Sequence, residues 1–303
     1  MTDSIFIFGA GYSARAFAET ARGRAGSILG TTRSDEKFEA LRLSGISPLL
    51  FDGSELSSQL IEALRITTHL VVSIAPGDNG DPVLSLIPEL RPRMPRLRWI
   101  GYLSTVGVYG DHGGAWIDET AECRPNSRRS RARIDAEKAW TVAADAAGVP
   151  VALARLSGIY GPGRNAFINL AAGTAKRLIK PGQVFNRIHV DDIAAALWHL
   201  AERELGGPFN VSDDEPAPPQ DVVTYAAELM GIEPPPEELF DPAKLSPMAR
   251  SFYGEVKRIS NRAIKKTGYE FRFPNYRAAL DAMWRDGNWR ATVERPVRSP
   301  IRE

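Results

Sequence analysis

An α/β fold built around a doubly wound parallel sheet is the architecture that the sequence predicts. Short apolar runs alternate with longer amphipathic stretches through the first half of the 303-residue chain. Strands that alternate with helices imply right-handed crossovers, which place parallel strands in one sheet and helices on both of its faces. The runs are apolar at successive positions, as expected for strands that are buried on both faces.

The predicted elements follow one another along the chain. Strands are predicted over residues 4–8, 27–30, 48–51, 70–74, 99–103 and 151–155. Helices are predicted over residues 12–22, 35–43 and 83–90, with a long helix over residues 127–147. Further on, a strand end and an Ala-rich helix are predicted over residues 189–201 and a short strand over residues 209–211. Pro-rich helices and loops make up the remainder.

Composition and charge exclude several classes of protein. The formal net charge is +1, so no strong overall field attracts nucleic acid. Cys123 is the single cysteine, which rules out a disulfide framework and a cysteine-rich zinc site. No apolar stretch approaches the roughly 20 residues that span a bilayer, and the first apolar run is too short for a signal peptide. We therefore expect a cytoplasmic protein that contacts neither nucleic acid nor membrane. We also expect it to hold no metal.

A glycine motif follows the first predicted strand and opens the first predicted helix. Its residues match G-x-G-x-x-G/A and are Gly9-Ala10-Gly11-Tyr12-Ser13-Ala14. The first glycine permits a tight turn, the second lets a pyrophosphate touch the backbone, and the small Ala14 lets the helix pack on the strand. The sequence therefore predicts a Rossmann-type fold, and the dinucleotide-binding residues expected here are Gly9, Gly11, Tyr12 and Ser13.

The end of the second predicted strand decides which dinucleotide is preferred. NAD-binding proteins of this fold carry an acidic residue here, whereas this chain has Thr31, Thr32 and Arg33. No carboxylate repels a 2′-phosphate, and the guanidinium fork of Arg33 can bind one. A solvated surface arginine is the alternative interpretation. We therefore expect Thr32 and Arg33 to bind NADP, with NAD less favoured.

Two later segments are expected to line the same cofactor. Asp52 follows the third strand and can accept a hydrogen bond from the adenine amino group, or it can cap a helix. Ser73, Ala75 and Pro76 follow the fourth strand and are expected beside the ribose and the nicotinamide.

Two domains are expected. Residues 1–157 and about 186–212 are predicted to form the Rossmann domain, and residues about 158–185 and 213–290 a smaller C-terminal substrate-binding domain. A small-molecule substrate would lie between them, at the edge where such sheets bind ligands. Residues 291–303 are predicted to be a frayed polar tail.

The glycine motif and four later motifs resemble the extended short-chain dehydrogenase/reductase family. The later motifs lie at residues 104–110, 160–163, 189–192 and 209–212, so the resemblance covers roughly residues 4–289. It implies an NAD(P)-dependent epimerase, dehydratase or reductase, many of which act on nucleotide sugars.

The resemblance also places a Tyr-x-x-x-Lys pair on the long helix, where the lysine lowers the pKa of a proton-shuttling tyrosine. Counting back from Glu137, the acid that follows this motif, these two positions are Arg129 and Arg133. A guanidinium stays charged at physiological pH and cannot act as that general acid or base. The chain is therefore identified as an atypical member without this dyad. A second such spacing, at Tyr253 and Lys257, is interpreted as incidental.

Catalytic candidates are consequently few: Thr105, Tyr109, Arg129 and Arg133. Thr105 matches the family's substrate-binding Ser/Thr, and a cap at the strand end is the alternative. Tyr109 is a substitute acid if it points into the cleft, and packing against its loop is the alternative. The two arginines either form an anion pocket or belong to a solvated basic face.

Two functions stay open at this point. The first is an NADP(H)-binding oxidoreductase or epimerase-like enzyme that acts on a small polar substrate. The second is a non-catalytic NADP(H)-binding redox sensor, which the loss of the dyad favours. Monomer and homodimer are both compatible with the sequence, because arginines at the start of the long helix oppose the family's usual dimer packing.

Overall fold

A seven-stranded sheet, in which every pair of neighbours is parallel, forms the centre of the protein. The structure is a computed structural model that describes residues 2–245, 250 and 252–290. The sheet consists of β1 (Ser4–Phe8), β2 (Ser27–Thr32), β3 (Ser47–Leu50), β4 (His69–Val72), β5 (Trp99–Thr105), β7 (Val151–Leu156) and β11 (Gly207–Val211). Short strands outside it are β6 (Trp116–Ile117), β8 (Gly158–Tyr160), β9 (Arg177–Ile179), β10 (Arg187–His189), β12 (Glu237–Leu239) and β13 (Arg258–Ile259).

The order of the strands, β3-β2-β1-β4-β5-β7-β11, places a topological switch point between β1 and β4. Ligands of such sheets bind in the crevice at the carboxyl ends of the strands beside this point. The glycine motif follows β1 directly, so the fold brings it to that crevice. The predicted Rossmann-type α/β fold is confirmed.

Helices cover both faces of the sheet. The helices of the described residues, on the sheet and beyond it, are Tyr12–Ala21, Phe38–Leu43, Ser58–Ile66, Pro82–Leu86, Leu90–Arg93, Arg128–Ala147, Ala166–Ala171, Val190–Glu202, Pro219–Met230, Arg262–Lys266 and Tyr276–Arg285. Short 3-10 turns occur at Asp35–Lys37, Val106–Tyr109 and Pro242–Lys244.

Alternation along β1 shows how both faces are buried. Ile5 and Ile7 join the apolar cluster under the helices Tyr12–Ala21 and Val190–Glu202. Phe6 and Phe8 join the cluster on the opposite face, under the helices Ser58–Ile66 and Arg128–Ala147. Because each face buries its own set of side chains, the strand is apolar at every position.

A third apolar cluster, the C-terminal lobe, lies beyond the sheet. It is built by the helices Ala166–Ala171, Pro219–Met230 and Tyr276–Arg285, whose side chains pack around Phe167 and Leu280. The parallel pair β9–β12 lies against the helix Pro219–Met230. This lobe falls within the range predicted for substrate binding, and the domain boundaries themselves stay a prediction.

Some predicted elements are wrong in detail. The helix predicted over residues 83–90 is two short helices, Pro82–Leu86 and Leu90–Arg93, because Pro88 disfavours helical backbone at Ile87 before it. The helix Ser58–Ile66 was not predicted, although Ser57 caps it by accepting a hydrogen bond from the Leu60 amide at 3.3 Å. The predicted tail lies outside the described residues.

Two general properties of the described residues bear on function. None of their helices is both long and apolar enough to cross a membrane. Their His, Cys, Asp and Glu side chains also form no group of three or more that could hold a metal ion.

Candidate functional site

The glycine turn after β1 is held in a conformation that only glycine adopts easily. Gly9 has φ of +84°, and an added Cβ would lie 2.8 Å from Cγ1 of Ile74 at the end of β4. At Gly11, by contrast, an added Cβ would meet no atom within 4 Å among the described residues. Gly11 is also the N-cap of the helix Tyr12–Ala21, which has no side-chain cap. The turn therefore presents open backbone and a helix N-terminus at the switch point, as pyrophosphate binding requires.

Thr31 of β2 fixes this turn from the side. Its hydroxyl accepts a hydrogen bond from the Gly9 amide at 2.9 Å, and its carbonyl accepts one from the Ala10 amide at 2.8 Å. Thr31 is 1% exposed, so both bonds are shielded from water. This role of Thr31 was not predicted from the sequence, which pointed to Thr32 and Arg33. The signal for this role is the hydroxyl of Thr31 itself, which lies on the strand opposite the glycine turn.

Arg33 follows β2 immediately and is exposed. Thr32 before it is the last residue of the strand and is half-buried. Within the described part of the chain, the Arg33 guanidinium has no hydrogen bond or ion pair. An unengaged guanidinium at this strand end is compatible with both interpretations, and its contact with a phosphate stays a prediction.

Asp52 lies in a turn, and the interpretation as a helix cap is wrong. Its carboxylate accepts hydrogen bonds from the Ser54 amide at 2.9 Å and the Ser54 hydroxyl at 2.6 Å. These bonds lower the pKa of Asp52, so the exposed carboxylate stays ionised. The next helix is capped by Ser57 instead.

The segment after β4 runs beside β1, as expected for a strand end that lines the cofactor. The Ser73 amide donates to the Phe8 carbonyl at 2.9 Å, which continues the pairing of the two strands by one residue. Ala75 is exposed and Pro76 is half-buried. The contact of these residues with a cofactor stays a prediction.

The two arginines in the dyad positions have different surroundings. Arg129 is exposed in the first turn of the helix Arg128–Ala147. Arg133, one turn further, donates to the Leu103 carbonyl at 2.9 Å and the Tyr102 hydroxyl at 3.1 Å. Arg133 is therefore fixed to β5, close to its carboxyl end, and only Arg129 matches the picture of a solvated basic face.

Thr105 ends β5 and caps the short 3-10 turn Val106–Tyr109. Its hydroxyl oxygen accepts a hydrogen bond from the Gly107 amide at 3.1 Å. The capping alternative is thus observed. It does not use the hydroxyl proton, which remains available for a ligand.

Tyr109 does not reach the cleft, and its placement is at odds with a role as substitute acid. The side chain is fully buried; its hydroxyl donates to Oδ1 of Asn210 at 2.8 Å and accepts from Arg155 at 2.9 Å. Burial raises the pKa of Tyr109 to about 12, although the positive charge of Arg155 opposes the shift. Packing against its surroundings, the alternative interpretation, is what the structure shows.

A buried ion pair anchors Tyr109 and the long helix to the sheet. Arg155 of β7 donates to both carboxylate oxygens of Glu137, with a shortest distance of 2.7 Å. Ser104 of β5 donates to the same carboxylate. Burial lowers the pKa of Arg155, but the hydrogen bonds and charge of Glu137 outweigh this and leave it raised. The pair therefore holds the helix face that carries Arg129 and Arg133 against β5 and β7.

The motif at residues 189–192 and the second Tyr-x-x-x-Lys spacing, at Tyr253 and Lys257, hold parts of the fold together. Nδ1 of His189 accepts from the Asp191 amide at 3.2 Å and so caps the helix Val190–Glu202. Asp192 is fully buried and accepts from the Arg272 and Phe273 amides, so it is no cap of its own helix. Lys257 donates to the Gly110 carbonyl at 2.7 Å, and it lies in the segment just before β13 rather than on the long helix.

Comparison with known proteins bears on this arrangement. Residues 79–212 match a family model described as NAD dependent epimerase/dehydratase family. The protein YeeZ of Escherichia coli strain K12 is 31% identical over 245 residues, which cover 76% of this chain and 85% of YeeZ. The chain belongs to the NAD-dependent epimerase/dehydratase family. It therefore has the NAD(P)-binding fold of that family, and the resemblance to extended short-chain dehydrogenase/reductases is confirmed.

Solved structures of similar proteins superpose over nearly the whole chain. A functionally unknown conserved protein from Silicibacter pomeroyi DSS has 46% identity and a TM-score of 0.85, covering 94% of this chain and 99% of its own. The human epimerase family protein SDR39U1 (isoform 2), solved with NADPH, has 16% identity and a TM-score of 0.70, covering 93% of this chain and 99% of its own. At that identity the human protein shows the shared fold alone.

Proposed function

We propose that this epimerase/dehydratase-family protein binds NADP(H) in preference to NAD(H) and acts as an oxidoreductase or epimerase-like enzyme on a small polar substrate. The observation that carries the cofactor preference is Arg33, an exposed guanidinium without a partner among the described residues, directly after β2. The residues at this strand end include no carboxylate that would repel a 2′-phosphate.

The remaining cofactor contacts follow from the crevice. The backbone at Gly9 and Gly11 and the first helical turn, Tyr12 and Ser13, would hold the pyrophosphate. Thr32 would join Arg33 at the 2′-phosphate. The ionised Asp52 is free to accept from the adenine amino group.

On the nicotinamide side, Ser73, Ala75 and Pro76 would line the ribose and the ring. The cofactor would supply hydride chemistry when bound, and the protein must provide substrate contacts and a proton. Arg133 cannot give up a proton, but its attachment to β5 suits it to hold an anionic or hydroxyl group. Thr105 has a hydroxyl proton to donate, so we assign it the substrate contact. Arg129 would attract an anionic substrate from solvent.

The non-catalytic sensor is favoured by one observation, the two arginines in the dyad positions. It predicts tight binding of NADP(H) with no effect of any carbonyl compound on NADPH absorbance. The enzyme proposal predicts consumption of NADPH with some member of a carbonyl panel, and loss of that turnover in Thr105→Ala.

Equilibrium titrations followed by NADPH and NADH fluorescence test the cofactor preference. A charge-assisted arginine–phosphate contact contributes about 1.5–3 kcal/mol, so Arg33→Ala should weaken NADPH binding by roughly 10- to 150-fold and leave NADH unchanged. Arg65→Ala is the matched control. Arg65 is an exposed arginine in the last turn of the helix Ser58–Ile66, which leads into the amino end of β4, away from the carboxyl ends of the strands. Equal affinity of the native protein for NADH and NADPH would refute the preference.

A further inference from the structure

A long-range hydrogen bond joins the predicted pyrophosphate site to the segment that leads into the C-terminal lobe. The Tyr12 hydroxyl donates to the Pro162 carbonyl at 3.0 Å, and the two residues are 150 positions apart in the chain. Tyr12 is the first residue of the helix that follows the glycine turn. Pro162 belongs to residues 161–165, the crossing loop, which follows β8 and leads into the lobe helix Ala166–Ala171.

The crossing loop approaches Tyr12 so closely that its first residue has no room for a side chain. A Cβ added at Gly161 would lie 2.6 Å from the Tyr12 hydroxyl oxygen and 2.7 Å from Cγ1 of Val190. Any side chain at this position would therefore push the loop away from Tyr12, and a glycine permits the close approach. Val190 begins the helix Val190–Glu202, which packs on the same apolar cluster as the helix that starts at Tyr12.

The other side of the crossing loop is fastened to the lobe. The Gly163 amide donates to the Trp289 carbonyl at 2.9 Å. The side-chain amide of Asn165 donates to the same Trp289 carbonyl at 2.7 Å and to the Gly161 carbonyl at 2.8 Å. Asn165 is 8% exposed, and its Oδ1 caps the next helix by accepting from the Ile168 amide at 3.2 Å. Because Trp289 belongs to the apolar cluster of the lobe, the loop connects that cluster to Tyr12.

The backbone that carries Tyr12 is the part of the turn that a pyrophosphate would restrain. Gly11 before it gives the helix no side-chain cap, and a Cβ added there would meet no described atom within 4 Å. The first amides of a helix have no acceptor within the helix, so a bound pyrophosphate would accept from them and fix this backbone. Fixing one partner of a hydrogen bond lowers the entropy cost of forming it. A bound dinucleotide should therefore make the bond from Tyr12 to Pro162 more persistent.

We propose that Tyr12 is a positioning residue whose hydroxyl couples dinucleotide binding to the C-terminal lobe. A bound dinucleotide slows the opening of the crossing loop, and the closed loop strengthens dinucleotide binding by the same factor, because coupling between two sites is reciprocal. A single hydrogen bond of this kind sets the size of that factor at about 3- to 10-fold. The inference rests on the proposed function for the place of the dinucleotide, and it goes beyond that function by connecting the cofactor site to the lobe.

Hydrogen–deuterium exchange of the full chain, measured by mass spectrometry with and without saturating NADPH, tests the coupling. In the native protein, NADPH should protect the glycine turn and slow exchange of residues 161–171 about 3- to 10-fold. In Tyr12→Phe, NADPH should still protect the glycine turn but no longer slow exchange of residues 161–171. A bond with a purely structural role would instead loosen the loop equally with and without NADPH. Tyr225→Phe is the matched control, because its hydroxyl bonds to Asp281 at 2.8 Å within the lobe and the variant should keep the native response.

Fluorescence titrations provide the second arm. Tyr12→Phe should weaken NADPH and NADH binding by the same factor of about 3- to 10-fold, whereas Arg33→Ala should weaken NADPH alone.

The inference is overturned if NADPH leaves exchange of residues 161–171 unchanged in the native protein, or slows it equally in Tyr12→Phe. It is also overturned if Tyr225→Phe loses the response as Tyr12→Phe does, or if Tyr12→Phe binds both dinucleotides as tightly as the native protein. Failure of the proposed function is a different result, in which neither dinucleotide binds the native protein or protects its glycine turn. Loss of the NADP preference alone would leave the exchange result intact with NADH.

Discussion

Removal of Arg155 is the sharpest test of how the long helix is held against the sheet. Glu137 is 4% exposed, and Arg155 gives it three hydrogen bonds at 3.2, 3.3 and 2.7 Å. In Arg155→Met the carboxylate would keep only the Ser104 hydroxyl. Breaking a buried pair in this way costs about 3–5 kcal/mol, a large part of the roughly 5–15 kcal/mol that stabilises a typical domain.

The double variant Glu137→Gln/Arg155→Met removes both charges, and we expect it to recover most of that loss.

Urea unfolding followed by tryptophan fluorescence measures these differences. Arg285→Met is the control, since Arg285 and Asp286 form an exposed ion pair whose loss should cost less than about 1 kcal/mol. If the double variant is as unstable as the single one, or if Arg285→Met is equally damaging, the buried pair does not have the role assigned to it.

Three further predictions concern the cofactor turn and the junction with the C-terminal segment. Gly9→Ala should abolish NADPH binding, because its Cβ would lie 2.8 Å from Ile74. The control Gly23→Ala, at φ of +78° with nothing within 4 Å of the added Cβ, should only lower the free energy of unfolding by about 1–2 kcal/mol. Equal NADPH binding by the two variants would contradict this prediction. Thr31→Val leaves the Gly9 amide without its acceptor and should cost about 1–3 kcal/mol in urea unfolding, an account that an unchanged midpoint would rule out. Burial raises the pKa of Asp192 to about 6, although its hydrogen bonds oppose the shift, so the protein should lose stability as pH rises from 4 to 7. Measured relative to Asp192→Asn, this loss in the free energy of unfolding should reach about 3 kcal/mol. If the stability of both proteins changes with pH in parallel, Asp192 is not responsible.

Local signals account for the parts of the fold that the sequence predicted. Apolar strands, the glycine motif after β1 and the long helix are each encoded in a short run of residues, and the structure has them in place. The helix Ser58–Ile66 also carries a local signal, its capping residue Ser57, so it too is encoded in a short run of residues.

Long-range packing accounts for what could not be predicted. The hydroxyl of Tyr109 is bonded to Asn210, 101 residues away, and nothing near Tyr109 in the sequence indicates that partner. Asp192 likewise bonds to amides 80 and 81 residues further on.

A crystal structure with NADPH is the most direct test of the cofactor assignment. We expect the pyrophosphate over the Gly9–Gly11 backbone and the adenosine 2′-phosphate within about 3 Å of the Arg33 guanidinium, the distance of a charge-assisted hydrogen bond. A nucleotide bound elsewhere, or a 2′-phosphate that points into solvent away from Arg33, would contradict the account.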